Sequence, residues 1–289
     1  MQLVLSLFPG LDMLGTAFEL EGFCVVAGPD VCWGRDVRSF HPPASKFDGI
    51  IGGPPCQTFS ALANLVRAKG LEPSFGNLIP EFVRCIEEAQ PAWWLMENVP
   101  GVPEDCWPEP AGYGVHTFML DNAWLDSGDG FGEEQMRKRR FWFGQRGSVA
   151  KDLRKWIRLA ALELPSAGAV VADQRSVPVA IGGSGKVKRT ATSTDGRHGH
   201  RTSVSDERRQ RTSILAGHGP LLETRPKRHP KNGHGERYTL TDMLRLQGLP
   251  EDALDYAPFT MHGKRKLIGN GVAIPTGRAL ARAVREATA

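Results

Sequence analysis

The run Ile79-Pro80-Glu81-Phe82-Val83-Arg84-Cys85-Ile86-Glu87-Glu88-Ala89-Gln90-Pro91-Ala92-Trp93-Trp94-Leu95-Met96 decides the fold class. Ile79, Phe82, Val83, Ile86 and Ala89 recur at intervals of three and four, the spacing of one apolar helix face, and Pro91 ends the pattern. Trp93–Met96 then places four large apolar residues in a row, which reads as a strand covered on both faces. The alternation runs back to the start of the chain. Leu3–Phe8 is strand-like; Gly15–Glu21 carries Ala17, Phe18 and Leu20 at helical spacing. Phe23–Ala27 reads as a second strand ending in Gly28-Pro29-Asp30, and Phe47–Ile51 as another, stopped by Gly52-Gly53-Pro54-Pro55. Phe141-Trp142-Phe143 adds one more. Strands alternating with helices over residues 1–147 predict a mainly parallel α/β sheet.

Beyond about residue 148 the composition shifts. Residues 151–237 carry 18 Lys and Arg against 8 Asp and Glu, whereas the remainder carries 18 against 24. A basic segment beside an acidic remainder suggests an anionic partner, most simply nucleic acid, although a solvated basic surface has the same composition. Within it, Gly182–Ser213 has eight Lys and Arg but only Val187, Ala191 and Val204 as hydrophobics, too few to fold alone, so a mobile loop is expected. A compact pattern returns after Glu236: Thr239 or Thr241 can cap a helix through Leu246, stopped by Gly248 and Pro250, and Ile274-Pro275 leads into a helix over Thr276–Ala287. The expected organisation is 1–147 with 236–289 returning to it, and 148–235 as a small, irregular second domain.

The 289 residues are 40% hydrophobic and 24% charged, as in a soluble globular protein. No run approaches the roughly 18 apolar residues of a membrane span. The N-terminal apolar stretch lacks a basic flank and meets Pro9-Gly10 at once, so it reads as a strand rather than a signal peptide. Five cysteines, an odd count with no CxxC pair, predict reduced thiols in a cytoplasmic protein. With no Cys after Cys106, zinc-finger spacing is absent and no metal is expected.

Five short motifs carry candidate chemistry. Leu5–Asp12 is a strand breaking into a Gly turn and a helix, where backbone can approach a ligand, though an ordinary β–α turn has the same form. Gly52-Gly53-Pro54-Pro55-Cys56-Gln57 is a rigid turn that holds a thiol at a strand's carboxyl end, a place for a nucleophile once deprotonated. Glu97-Asn98-Val99-Pro100 puts a carboxyl beside bulky aromatics, a setting for a raised pKa and general-acid work, or simply an exposed strand end. In Gln135-Met136-Arg137-Lys138-Arg139-Arg140, residues 135, 137 and 139 share one face if the segment is extended; a basic edge strand is the plain alternative. Gly269-Asn270-Gly271-Val272 is a tight turn before the last helix.

Together and in this order, the motifs resemble those of the C5-cytosine DNA methyltransferases, over about residues 3–146 and 236–286. The resemblance implies a Rossmann-like S-adenosylmethionine-dependent methyltransferase sheet with a small target-recognition domain at 148–235. It implies methyl transfer to cytosine C5 in double-stranded DNA, with the base flipped out of the helix. Cys56 matches the nucleophile that attacks C6, Glu97 the acid at N3 and the exocyclic amine, and Arg139, helped by Arg137, the residues that hold O2 and orient Glu97. Phe8, Gly10, Leu11, Asp30, Asp36, Pro55, Asn270 and Val272 match cofactor-contacting positions. Gln57, Ser60 and Gln135 fall on the DNA side, with Arg208, Arg209 and Arg211 as candidate phosphate contacts. A cognate restriction enzyme fits such a protein as partner, and a monomer is expected. A tRNA cytosine methyltransferase and an inactive DNA-binding module on the same fold are the rivals. Gln57 favours DNA, since the tRNA branch carries Pro-Cys-Phe-Thr. The chain departs from the family where Ser6 stands for the usual Asp, Asp12 and Met13 for Gly, and Gly271 for Ser or Ala, and the stretch from Asp30 to Asp36 is shorter than in common members.

Overall fold

The computed structural model describes residues 1–55, 59, 76–126, 135–147, 149–159 and 239–289. Six strands form one sheet: β1 (Leu3–Leu7), β2 (Cys24–Ala27), β3 (Gly49–Gly52), β4 (Trp93–Asn98), β5 (Tyr113–Asp121) and β6 (Lys138–Arg146), in the order β2-β1-β3-β4-β6-β5. The four strands β2, β1, β3 and β4 are parallel. Among the described strands only β6 is reversed, running antiparallel to both β4 and β5, so the sheet is mainly parallel with one antiparallel strand. The direction of β6 follows from a non-local pairing that the alternation of elements does not encode.

Side chains leave the strands alternately to two cores, as a period of two requires. Val4, Ile51, Trp93, Leu95, Phe141 and Phe143 face one side. Leu5, Leu7, Ile50, Trp94, Met96 and Trp142 face the other. The first core is covered by α1 (Met13–Leu20) and by the C-terminal helix, the second by α2 (Ile79–Ala89) through Phe82, Cys85, Ile86 and Ala89. Coverage on both faces is why β1, β3 and β4 are apolar along most of their length. The two indoles of β4 cross neighbouring strands at glycines. Trp93 lies beside Gly49 and Trp94 beside Gly144, and a Cβ on either glycine would run into the ring.

The C-terminal residues add α3 (Leu240–Leu246), α4 (Met261–Asn270) and α5 (Ile274–Thr288), and α5 packs on α1. Thr239 caps α3 in a reciprocal capping box with Asp242, and Gly248, at φ 74°, turns the chain out. α5 begins at Ile274, two residues before the expected start, because Pro275 sits in its first turn, where no N–H is required. Residues 149–159 remain with this body: Ala150, Leu153 and Ile157 are buried in the same core as α5, so that core continues past residue 147. No described helix is long and apolar enough to cross a membrane.

Candidate active site

Parallel strands present their carboxyl ends on one edge, and the chain reverses strand order between β1 and β3. Ligands bind at such switch points in open α/β sheets. The turn after β1 is built for close approach. Phe8, Gly10 and Asp12 all adopt left-handed backbone (φ 56°, 57° and 52°), and Asp12 N donates to Pro9 O at 2.6 Å. Gly10 has open space where a Cβ would stand. Its N–H donates to Asp30 Oδ2 at 2.9 Å, and its carbonyl accepts from Trp33 Nε1 at 2.8 Å. Asp30 Oδ1 also accepts from Cys32 N at 2.7 Å, so Asp30 ties the end of β2 to the Gly10 turn. Trp33 meets Phe259 edge-on at 5.3 Å between ring centroids.

A cavity of about 280 Å³ opens beside this turn, lined by Pro29, Gly34, Arg35, Asp36, Ser39 and Phe40. The Asp36 carboxylate accepts from Arg38 N at 2.9 Å and Arg38 Nε at 3.1 Å, and these contacts hold it below the usual carboxylate range. Arg84 on α2 fixes the same stretch. Its Nη2 donates to Val37 O at 2.9 Å and Phe40 O at 3.0 Å, while Glu81 and Glu88 hold the rest of the guanidinium.

The second half of the site lies at the ends of β3 and β4. Glu97 is 7% exposed. Burial pushes its carboxyl above the ordinary value, and the opposing pull of Arg139 and Arg137 is smaller. Arg139 Nε lies 2.7 Å from Glu97 Oε1. The antiparallel register sets this up: Glu97 is opposite Phe141, so Arg139 is its diagonal neighbour. The other carboxylate oxygen faces Gly53, where a Cβ would stand 3.1 Å from Oε2. Asn98 Nδ2 donates to Pro54 O at 3.2 Å, pinning the Pro54-Pro55 turn to the end of β4. The Gly53–Pro55 turn and the Glu97-Asn98-Val99 motif are therefore one construction, and Pro55 is the last described residue before Cys56.

Arg139 pairs with Glu97 and Arg137 adds to the pull on the same carboxyl, while the strand begins only at Lys138 and Gln135 and Arg137 also reach inward. Gln135 and Arg137 are 1% and 2% exposed. Arg137 Nη2 donates to Gly269 O and Gly271 O, each at 2.9 Å, and Arg137 N to Asp121 Oδ1 at 2.8 Å. Gln135 Oε1 accepts from Asn122 Nδ2 at 2.9 Å, and Asn122 Oδ1 accepts from Thr276 Oγ1 at 2.7 Å. Both residues thus fasten the α4–α5 turn to the sheet. Arg137→Met should lower stability by about 2 kcal/mol, since it strips two inward carbonyls of a charged donor. Urea unfolding measures this, and an unchanged midpoint would contradict the clamp.

Of the other expected site residues, Phe8 and Leu11 are half-buried on the β1–α1 turn, Asn270 is exposed at the end of α4, and Val272 is buried in the α5 core. Cys56, Gln57, Ser60, Arg208, Arg209 and Arg211 lie outside the described residues, as does the loop expected at 182–213. Among the described cysteines, the buried Cys85 thiol and the Cys32 thiol, partly desolvated beside the Asp30 carboxylate, are both pushed up to about 11. Trp33 and Phe259 fall in no motif, and Asn98, although inside the Glu97-Asn98-Val99-Pro100 motif, has no role of its own in that reading. Asn98 could have been given one, since a buried amide next to a strand-end carboxyl needs a partner.

Residues 34–166 match the family model for the C-5 cytosine-specific DNA methylase. The type II methyltransferase M.FnuDI of Fusobacterium nucleatum is 32% identical over 169 residues, which cover 50% of this chain and 46% of that protein. M.NgoPII of Neisseria gonorrhoeae, also a type II methyltransferase, is 29% identical over 172 residues, covering 50% and 48%. The chain spans about half the length of these relatives. Among solved structures, Spodoptera frugiperda DNMT2, as a triple mutant, superposes with a TM-score of 0.56 at 14% identity, covering all of both chains, a likeness of fold. The matched segment and the curated relatives point alike to the C-5 cytosine-specific DNA methylase family, which the chain resembles over about half its length.

Proposed function

We propose that this protein transfers a methyl group from S-adenosylmethionine to C5 of a flipped-out cytosine in double-stranded DNA, with Cys56 as covalent nucleophile. The observation that carries the reading is Glu97, buried and ion-paired to Arg139 and packed against the Gly53–Pro55 turn that leads into Cys56. Cytosine C5 is a poor nucleophile. Addition of the Cys56 thiolate at C6, with a proton given by Glu97 to N3, makes C5 enamine-like and ready to accept a methyl group. Arg139 holds O2 and keeps Glu97 aimed at the base edge. Loss of the C5 proton then expels Cys56 and restores the ring.

The β1–α1 edge fits the cofactor. The open Gly10, the cavity at Asp36, and carboxylates at Asp30 and Asp36 suit a nucleoside with ribose hydroxyls and an exocyclic amine. Phe8, Leu11, Asn270 and Val272 would complete the walls. When bound there, S-adenosylmethionine supplies an electrophilic methyl on a sulfonium centre.

Expression in a host free of cytosine methylation, followed by bisulfite sequencing, tests the reading. A fixed methylated motif is expected, and a genome without 5-methylcytosine would refute it. The basic segment gives a second expectation. DNA affinity should fall steeply with salt, with a slope of log K against log salt of about −0.9 per neutralised phosphate. Neutralising Arg208, Arg209 and Arg211 together should flatten that slope and leave the methylated motif unchanged. A relaxed motif would make them base readers instead.

A further inference from the structure

Asp12 and Met13 stand side by side at the start of α1, and each meets a partner across the turn. Asp12 Oδ1 accepts from Ser6 Oγ at 2.6 Å and from Gly15 N at 3.2 Å, and it does so from a left-handed backbone. A Cβ on Gly15 would run into that carboxylate, so hydroxyl, carboxylate and glycine are fitted to one another. Met13 meets Gly271. The backbone of Gly271 has φ −71°, which any residue adopts, so conformation does not call for glycine there. Space does: a Cβ on Gly271 would take the place of Met13 Sδ. The carbonyl of the same Gly271 is held by Arg137, so Met13 and Arg137 grip the α4–α5 turn from two elements.

We infer that Asp12 and Met13 are positioning residues of the cofactor end of the site, acting as the matched pairs Ser6–Asp12 and Met13–Gly271. The inference rests on the reading that S-adenosylmethionine binds at the β1–α1 turn. The Ser6–Asp12 bond holds residue 12 left-handed, a conformation an L-residue keeps only with such local support, and so sets the direction of Pro9–Leu11. Met13 sets how closely the Asn270–Val272 turn approaches the same edge.

Exchange cycles on the full chain test this. The variants are Ser6→Asp, Asp12→Gly and the two together, then Met13→Gly, Gly271→Ser and the two together, with Asp12→Asn as the conservative change. The readouts are the thermal midpoint without ligand and the dissociation constant for S-adenosylhomocysteine by calorimetry. Ser6→Asp puts two carboxyl groups in one buried place and Gly271→Ser crowds Met13, so each single change should weaken binding about tenfold. Each double variant should return to within about threefold of the wild type, a coupling typical of contacting residues. Asp12→Asn, which keeps an acceptor for Gly15 N, should stay closer to wild type than Asp12→Gly. If Ser6→Asp fails to fold, its rescue by Asp12→Gly is read in the midpoint, and the Met13–Gly271 cycle stands independently. Additive effects in both cycles would overturn the pairing. Coupled midpoints with unmoved ligand affinity would make the pairs purely structural and overturn the positioning role. A wild type that binds neither S-adenosylhomocysteine nor S-adenosylmethionine would refute the proposed cofactor, while the ligand-free midpoints still decide the pairing.

Discussion

Cys56→Ser is expected to abolish methyl transfer, with a loss on the order of 10⁴-fold or more, the scale seen when a covalent nucleophile is removed. An alcohol at this position is far less ionised than a thiol, so addition to C6 fails even with the base in place. The fold should persist, since serine is close in size, and DNA binding should persist with it. A duplex carrying 5-fluorocytosine at the target sharpens the test. The wild type should form a denaturant-stable adduct, because fluorine at C5 cannot depart as a proton and Cys56 is not expelled. Mass spectrometry of the adduct should place the modification on the peptide containing Cys56. A Cys56→Ser protein that methylates at the wild-type rate would require another nucleophile. Cys32 and Cys85 are poor candidates, with thiols held near 11.

The parts of this architecture legible in the sequence are those set by local chemistry. The helix over Ile79–Ala89 follows from the spacing of its apolar residues and ends in a left-handed Gln90 just before Pro91. Thr239 is the cap of α3 because Asp242 lies three residues on and completes the box. β5 is not legible in the sequence because Gly114, His116 and Thr117 break its apolar pattern, and it is made a strand by pairing with β6 along its length. α4 is not legible because His262-Gly263-Lys264-Arg265-Lys266 presents no apolar stripe; its hold on the body comes from Leu267 and Ile268 at one end. The site shows the same division. Residue types in order pointed to Glu97 and Arg139, which the β4–β6 register joins. The inward turn of Arg137 depends on where β6 begins and on carbonyls more than 130 positions away, and no spacing rule reaches that far.

Glu97→Gln is expected to slow transfer by about 10²–10⁴-fold, the range for loss of a general acid. Affinity for S-adenosylhomocysteine should hardly change, because Glu97 lies at the β3–β4 end rather than at the β1–α1 turn. The pH profile carries more information than the rate alone. Proton donation needs the protonated carboxyl, and burial raises the Glu97 pKa above its ordinary 4.5. The wild-type rate should therefore fall on an alkaline limb as pH rises through that raised value, and the glutamine variant should lack this limb. Stability gives an independent check of the same shift. A carboxyl raised in the folded state contributes stability that is fully present below its unfolded pKa and is lost as pH rises through the folded one. The wild type should thus lose stability relative to Glu97→Gln on going from below 4.5 to neutral pH. The ion pair with Arg139 forms only as Glu97 ionises, and its pull is already contained in the net upward shift, so it does not reverse the trend. Thermal midpoints of the two proteins measured across that interval should therefore diverge in favour of the variant. Parallel curves would mean that Glu97 ionises at its ordinary value and is carboxylate throughout the working range. The positive charge engaging the base edge would then come from Arg139 with Arg137 nearby, and the proton for N3 would have to come from elsewhere.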